Sequence, residues 1–180
     1  PVVYKVMADD IQTIYDQIDK NNAIVMAFLK SGGIKAGDIS VAVPNISDKY
    51  AAEYGSNDRA YRYIATSTVT VCTADVDAVL ALRSRQSELL KKGVVTAGSN
   101  WENTVEFKYE GLNEIKPQMI EEATRNAREA AEKFAKDSDS KLGKIKTANQ
   151  GTFTIDDRDS NTPHIKTVRV VTSVTYYLKN

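Results

Sequence analysis

The sequence is poor in the side chains that most often perform chemistry. It has one cysteine, Cys72, and one histidine, His164, in 180 residues. A single cysteine excludes an internal disulfide and a cysteine-ligated zinc site. Cys72 ends an apolar strand pattern, and free cysteine is usually buried, so we expect an inert, buried thiol. A redox-active thiol is the alternative, but it needs an electropositive, partly exposed setting that the sequence does not indicate.

Catalytic signatures are missing as well. A serine–histidine–aspartate triad would have to use His164, which follows Pro163 at the start of a strand pattern and has no partner motif. The sequence has no phosphate-binding loop, dinucleotide fingerprint or nucleophile elbow. We therefore predict no catalytic residue and no cofactor, and we expect the chain not to be an enzyme. An enzyme of unrecognised type is kept as a third hypothesis.

Net charge and long apolar runs are absent too. The 24 basic side chains balance the 24 acidic ones, and no basic run is interleaved with aromatic residues. A nucleic-acid partner is therefore not expected, whereas near-zero net charge permits self-association. No apolar run reaches the roughly 18 residues of a membrane-spanning helix. Residues 1–4 have the pattern of the middle of a strand, so we expect any export signal or membrane anchor to lie in an earlier segment.

One acidic loop has part of a calcium-binding pattern. Asp157, Asp159 and Asn161 match its first half. However, Thr162 stands where the loop requires glycine, and Val168 stands where it requires glutamate. The stretch is therefore predicted to be the polar tip of a hairpin, and no metal site is predicted.

Hydrophobic periodicity predicts six elements in the first 110 residues. Strands are expected at about 2–7, 39–43, 61–72 and 105–109, and helices at about 11–30 and 75–92. This order, strand, helix, strand, strand, helix, strand, is the plan of ferredoxin-like domains. Polar residues 44–59 form a connection longer than a tight hairpin needs.

The clearest helix is predicted over residues 116–143, with Pro117 in its first turn. Two strands are expected after it, near 143–155 and 165–178. The predicted fold is therefore α+β: a ferredoxin-like βαββαβ portion, then a long helix and a C-terminal β-hairpin packed on a mostly antiparallel sheet. We expect one domain over residues 1–180, with a possible division into 1–110 and 111–180. An apolar stripe on the helix, mostly alanine, is expected to lie flush against strands: Ile120, Ala123, Ala127, Ala130, Ala131 and Phe134.

Four tyrosines cluster around the long polar connection: Tyr50, Tyr54, Tyr61 and Tyr63. Tyrosine is favoured in strands, so strand packing is one explanation for them. Tyrosine is also enriched at protein interfaces, so an exposed aromatic patch for subunit contacts is the alternative. These four residues are the candidate interaction surface.

Three stretches resemble the SIMPL-domain family of bacterial cell-envelope proteins, which includes a periplasmic immunogenic protein. They are YRYIATSTVTV at residues 61–71, FKYEGLNEIK at residues 107–116, and residues 120–142, which open with IEEATRNAREAAEKFA. The resemblance covers nearly the whole chain and implies no catalytic residues. It implies export to the periplasm or outer envelope, homo-oligomers that are ring-like in some cases, and a role in stress tolerance, including oxidative stress.

Two functional hypotheses follow from these observations. The first is an exported, non-enzymatic cell-envelope protein that self-assembles through strand edges or tyrosine-bearing loops, because exposed strand edges are templates for pairing. The second is a small-ligand-binding periplasmic module with a pocket between the helix over residues 9–31 and the sheet.

Overall fold

The computed structural model describes residues 1–51, 60–98 and 104–179. The chain divides into two compact units, Pro1–Val105 and Glu106–Asn180. Helices and antiparallel strands occur in both units, which confirms the predicted α+β class.

The N-terminal unit begins with the predicted strand and long helix. Asp10 begins the helix, because its carboxylate accepts a hydrogen bond of 2.8 Å from the Thr13 N–H. Asp75 caps the next helix in the same way, at 2.9 Å from the Ala78 N–H. The elements are β1 (Val2–Ala8), α1 (Ile11–Ser31), a 3-10 turn (Ala36–Asp38), β2 (Ile39–Val41), β3 (Asn45–Asp48), β4 (Tyr63–Val71), α2 (Val76–Ser84) and α3 (Ser87–Lys91).

The strand β4 is the centre of the N-terminal sheet. It pairs antiparallel with β1 on one side and with β2 and β3 on the other. The predicted strand at 39–43 is formed as β2 and ends before Pro44, which has no N–H to donate. The strand β3 lies within residues 44–59, which the sequence predicts to be a polar connection without a strand. On the other side of β1, Thr96 forms a single bridge with Tyr4, and the Ala97 N–H donates to the Val3 carbonyl at 2.6 Å.

The strand predicted at 105–109 is not formed, and this prediction is wrong. Residues 104–110 have no regular secondary structure. Alternating apolar residues make a strand only when a neighbouring edge is available for pairing, and Thr96 meets the free side of β1 instead. The sheet therefore keeps the ferredoxin-like strand order with its last strand reduced to one bridge.

The core of this unit lies between α1 and the sheet. Along β4, alternate residues Ala65, Ser67 and Val69 are buried, as the two-residue period of a strand requires. The α1 face that meets them is filled by five buried apolar side chains: Ile14, Ile18, Val25, Phe28 and Leu29. This burial is what fixes the position of the helix on the sheet.

The described C-terminal unit consists of a helix and a long β-hairpin, and each arm of the hairpin is divided into two strands. Its elements are α4 (Leu112–Asp137), β5 (Lys141–Gln150), β6 (Thr154–Asp157), β7 (Lys166–Arg169) and β8 (Thr172–Lys179). The pairs β5–β8 and β6–β7 are antiparallel. Each predicted long strand is therefore interrupted once, and the Gly151 N–H donates to the Val171 carbonyl at 2.8 Å across the interruption.

The helix α4 packs on β5 and β8, but two expectations about it are wrong. It begins at Leu112, so Pro117 lies in its second turn and leaves the Asn113 carbonyl without its intrahelical donor. The sheet-facing side chains Ala123, Ala127 and Ala131 are partly buried as predicted, whereas Ala130 is exposed and Phe134 is 76% exposed. In the described part of the chain, α4 packs on two strands, β5 and β8, and such a narrow support covers little more than one row of side chains.

Candidate functional site

The candidate interaction surface, which we call the tyrosine patch, includes Tyr50, Tyr61 and Tyr63. It lies where β3 ends and β4 begins. Asp48 and Tyr63 are paired at the last position of the β3–β4 ladder. Tyr50 is 60% exposed and Tyr61 is 46% exposed, while Tyr63 is partly buried. Tyr54, the fourth tyrosine of the predicted surface, lies outside the described residues. The structure therefore brings three of the four predicted residues to one end of the sheet.

An arginine holds this end of the sheet together. The Arg62 guanidinium binds both carboxylate oxygens of Asp48, with Nη2 to Oδ2 at 3.0 Å and Nε to Oδ1 at 3.3 Å. It also lies 4.9 Å from the centre of the Tyr63 ring. The same Asp48 carboxylate accepts from the Tyr50 N–H at 2.9 Å. The hydrogen bond from Arg62 lowers the pKa of Asp48 and raises that of Arg62, so both side chains stay charged.

This arrangement has the chemistry of a contact surface. Tyrosine and arginine are the residues most enriched at protein interfaces and among the side chains that dominate binding energy. Exposed ion pairs add little stability by themselves. The Arg62–Asp48 pair instead contacts two residues of the patch, the Tyr63 ring and the Tyr50 N–H. Asp48 and Arg62 form an ion pair with each other, so neither side chain is available as a general base or acid.

The C-terminal unit has a second candidate surface, which is apolar. Among its described residues, Ala135 is the only buried side chain. Several large apolar side chains are instead about half exposed or more: Phe134, Ile145, Val171, Tyr177 and Leu178. Exposed apolar side chains mark interaction sites where they form a contiguous patch, so this unit is a candidate for contact with a partner.

Two open grooves border α4 in this unit. One, of about 510 Å³, has an apolar floor that includes Met119, Ala123 and Val170. The other, of about 370 Å³, is lined by the cations Arg128, Lys144 and Lys179 along with Tyr176. Neither groove has converging carboxylates, and no group of three or more metal-ligating side chains is found among residues 1–51, 60–98 and 104–179.

The lone histidine and the lone cysteine are not among the residues of either surface. His164 packs against Phe107 with ring centres 5.8 Å apart, and no described residue bonds to its Nδ1. Cys72 is exposed, so the prediction of a buried thiol is wrong. It lies one residue beyond the end of β4, and its parity is opposite to that of the buried residues Ala65 and Val69.

The acidic loop forms the predicted polar hairpin tip. Asp159 accepts hydrogen bonds from the Asn161 N–H at 2.9 Å, the Thr162 N–H at 2.8 Å, the Thr162 hydroxyl and the Arg158 guanidinium. Asp157 forms an ion pair with Lys166 on the opposite strand. The carboxylates therefore hold the β6–β7 turn in shape.

This turn gives a pH prediction. Hydrogen bonds from Thr162 and Arg158 lower the pKa of Asp159 from 3.8 to about 2. Because the pKa is depressed in the folded state, the carboxylate stabilises the turn above pH 4 and loses this effect as the pH falls through about 2. A carboxyl NMR titration should give a midpoint near 2 for Asp159, and Asp159→Asn should remove the transition. A midpoint near 4 would contradict the hydrogen-bonded turn.

Comparison with known proteins adds the following findings. The family model SIMPL, described as a protein of unknown function (DUF541), matches residues 2–176, which is nearly the whole chain. A search of curated proteins finds no significant match. Within the described parts of the chain, no helix is long and apolar enough to cross a membrane.

Proposed function

Because the chain belongs to the SIMPL family, whose function is unknown, we propose that it is an exported, non-enzymatic protein of the bacterial cell envelope that self-assembles and contributes to stress tolerance. One observation carries the proposal: Ala135 is the only buried side chain among the described residues of the C-terminal unit. The family resemblance supports the envelope location and the link to stress.

Apolar side chains that stay in contact with water forgo the free energy that burial would provide. Burying apolar surface is worth roughly 25 cal/mol per Å², and a single large apolar side chain gains about 1.5–3 kcal/mol when fully buried. The exposed Phe134, Tyr177 and Leu178 therefore represent several kcal/mol that a contact can recover. A chain with zero formal net charge does not oppose that contact by self-repulsion.

The tyrosine patch supports the same proposal from the N-terminal unit. Tyr50 and Tyr61 are exposed at one end of the sheet, next to the Arg62–Asp48 pair that fixes the local backbone. A tyrosine side chain has only two χ angles, so it loses little conformational entropy when a partner covers it. Each unit therefore contributes one surface suited to a partner.

The small-ligand alternative placed its pocket under α1, and the packing there argues against it. Ile14 and Val25 have no exposed surface, and Ile18, Phe28 and Leu29 are nearly as buried. A ligand in this position would have to replace side chains that already fill the space at native density.

Sedimentation velocity tests the assembly and the tyrosine patch together. We expect the purified chain to sediment as an oligomer, and the Tyr50→Ser/Tyr61→Ser double variant to dissociate at concentrations at least tenfold higher. Tyr15→Ser is the matched control, because Tyr15 is 48% exposed on α1, outside the patch. A double variant that dissociates like Tyr15→Ser would exclude the patch from the contact.

The cellular part of the proposal needs the natural full-length gene. We expect the protein in the envelope fraction of the source bacterium, and we expect a deletion strain to survive peroxide less well than its parent. Recovery of the protein in the cytosolic fraction would contradict the envelope location.

A further inference from the structure

The two free edges of the β5–β8 sheet differ in how well they are protected against pairing. The β5 strand carries Lys141, Lys144 and Lys146, and both register shifts of the pair place the extra residues on β5. Lysines and bulges are the devices by which natural edge strands avoid pairing. Residues 172–178 of β8, TSVTYYL, contain no charge, no proline and no extra residue. Among the described residues, β8 pairs with β5 alone.

We infer that the free edge of β8 pairs antiparallel with β8 of a second copy of this chain, which joins the two hairpins into one four-stranded sheet. The inference rests on the proposed self-assembly and names the contact that carries it. Such a pairing places identical edges together about a twofold axis, the commonest symmetry of homo-oligomers.

The charges at the ends of β8 disfavour one of the possible registers. With the axis at Thr175, all seven residues 172–178 are paired, and Val174 lies opposite the partner's Tyr176. Aromatic and β-branched side chains opposite each other stabilise an antiparallel pair. Moving the axis to Val174 would place Lys179 opposite the partner's Arg169, and like charges in that position are destabilising.

The helices fit this arrangement. The helix α4 lies over both β5 and β8, so the two helices of a dimer would be separated by two strand spacings, about 9.6 Å. Packed helices lie about 8–10 Å apart. The pairing therefore brings the two α4 helices into contact without a clash, on the same face of the joined sheet.

The charges on α4 also favour a second copy as the partner. Ala127 shares a groove with Thr172, and Arg128 shares a groove with Tyr176, so the middle of α4 lies above Thr175. Glu122 lines the groove on the β8 side, and Lys133 is eleven residues further along, on the same side of the helix. If the twofold axis passes the middle of α4, Glu122 lies beside the partner's Lys133, and Lys133 lies beside the partner's Glu122.

Cross-linking of single cysteines tests the pairing directly. In a Cys72→Ser background, Thr175→Cys and Thr147→Cys place a thiol on paired residues of the same sheet face, one on each strand. Two copies of residue 175 would be about 5 Å apart, whereas two copies of residue 147 would be about 14 Å apart, three strand spacings. We expect a short bis-maleimide to convert most of Thr175→Cys into covalent dimer and to leave Thr147→Cys largely monomeric.

A charge exchange provides a second readout that does not depend on cysteine geometry. Lys133→Glu should raise the dissociation constant of the assembly about tenfold, and the Glu122→Lys/Lys133→Glu double variant should restore it. Equal cross-linking of Thr175→Cys and Thr147→Cys, or a double variant no tighter than Lys133→Glu, overturns the β8 pairing. If the wild-type chain still forms an oligomer, self-assembly stands without this contact, whereas a monomeric wild-type chain overturns both.

Discussion

Replacing Tyr4 by alanine is expected to lower the free energy of unfolding of the N-terminal unit by about 3–5 kcal/mol. Tyr4 is only 1% exposed and stands on β1, facing α1. The substitution removes the largest fully buried side chain of this unit and leaves a cavity between helix and sheet. The surrounding side chains belong to different elements, so they can close such a cavity only in part.

The Tyr4 hydroxyl adds a polar component to this effect. It lies 3.0 Å from the Ile18 carbonyl and 2.8 Å from Asn22 Oδ1, and the Ser67 hydroxyl donates to the same Asn22 oxygen at 3.2 Å. These bonds connect β1, α1 and β4 through buried groups. Tyr4→Phe keeps the ring and should therefore cost only about 1 kcal/mol, the net worth of one such hydrogen bond.

Urea unfolding followed by circular dichroism measures the loss, and amide hydrogen exchange in β4 assigns it to the N-terminal unit. Tyr15→Ala is the control, since Tyr15 is about half exposed on α1 and its removal should cost less than 1 kcal/mol. A Tyr4→Ala variant as stable as Tyr15→Ala would show that the β1–α1 contact is not the centre of this core.

Gly143→Val is expected to open the β5–β8 pair at its bulged end. A Cβ atom at Gly143 would lie 2.7 Å from the Tyr177 carbonyl oxygen, which is closer than real Cβ contacts allow. The obstacle is backbone, so one strand has to move, at a cost of about 1–3 kcal/mol. Because β5 and β8 are the strands that support α4, the loss should extend to the helix contact.

Hydrogen exchange is the measurement for this variant. Amides of β5 and β8 should exchange at least tenfold faster than in the wild type, while those of β1 and β4 keep their protection. Lys144→Val introduces the same side chain one residue further along, at an exposed position, and should leave the exchange unchanged. Equal protection in Gly143→Val and Lys144→Val would mean that the strands tolerate a side chain here.

Patterns of neighbouring residues are sufficient to predict the helices and strands whose burial follows the sequence period. The periodicity of α1 and the alternation in β4 appear in the structure within two residues of the predicted ends. Three of the four alanines predicted to face strands, Ala123, Ala127 and Ala131, are partly buried on α4. In each case the residue pattern and the burial have the same period.

Other features depend on contacts that are distant in sequence, and these were not predictable. Residues 105–109 have a strand pattern, but they pair with no strand in the described parts of the chain. Phe134 lies on the predicted apolar stripe but is exposed, because α4 packs on just β5 and β8 among the described strands. Asn22 lies in the middle of α1, and its role as acceptor for Tyr4 and Ser67 emerges only when β1 and β4 are placed against it.

The candidate surfaces also differ in whether neighbouring residues or distant contacts determine them. The sequence was sufficient to group Tyr50, Tyr61 and Tyr63, because they flank one connection. The free edge of β8 was not predictable, since the TSVTYYL pattern is compatible with a central strand as well as an edge strand. The three lysines of β5 were the available signal, as lysine on a strand is typical of an edge.

The account depends most on the claim that this chain covers its exposed apolar surface with copies of itself. The mass of the purified protein in solution, measured by light scattering over a hundredfold range of concentration, tests that claim most directly. We predict a mass of at least twice 19.9 kDa, the mass of one chain, over the upper part of that range. A mass of one chain at every concentration would contradict it.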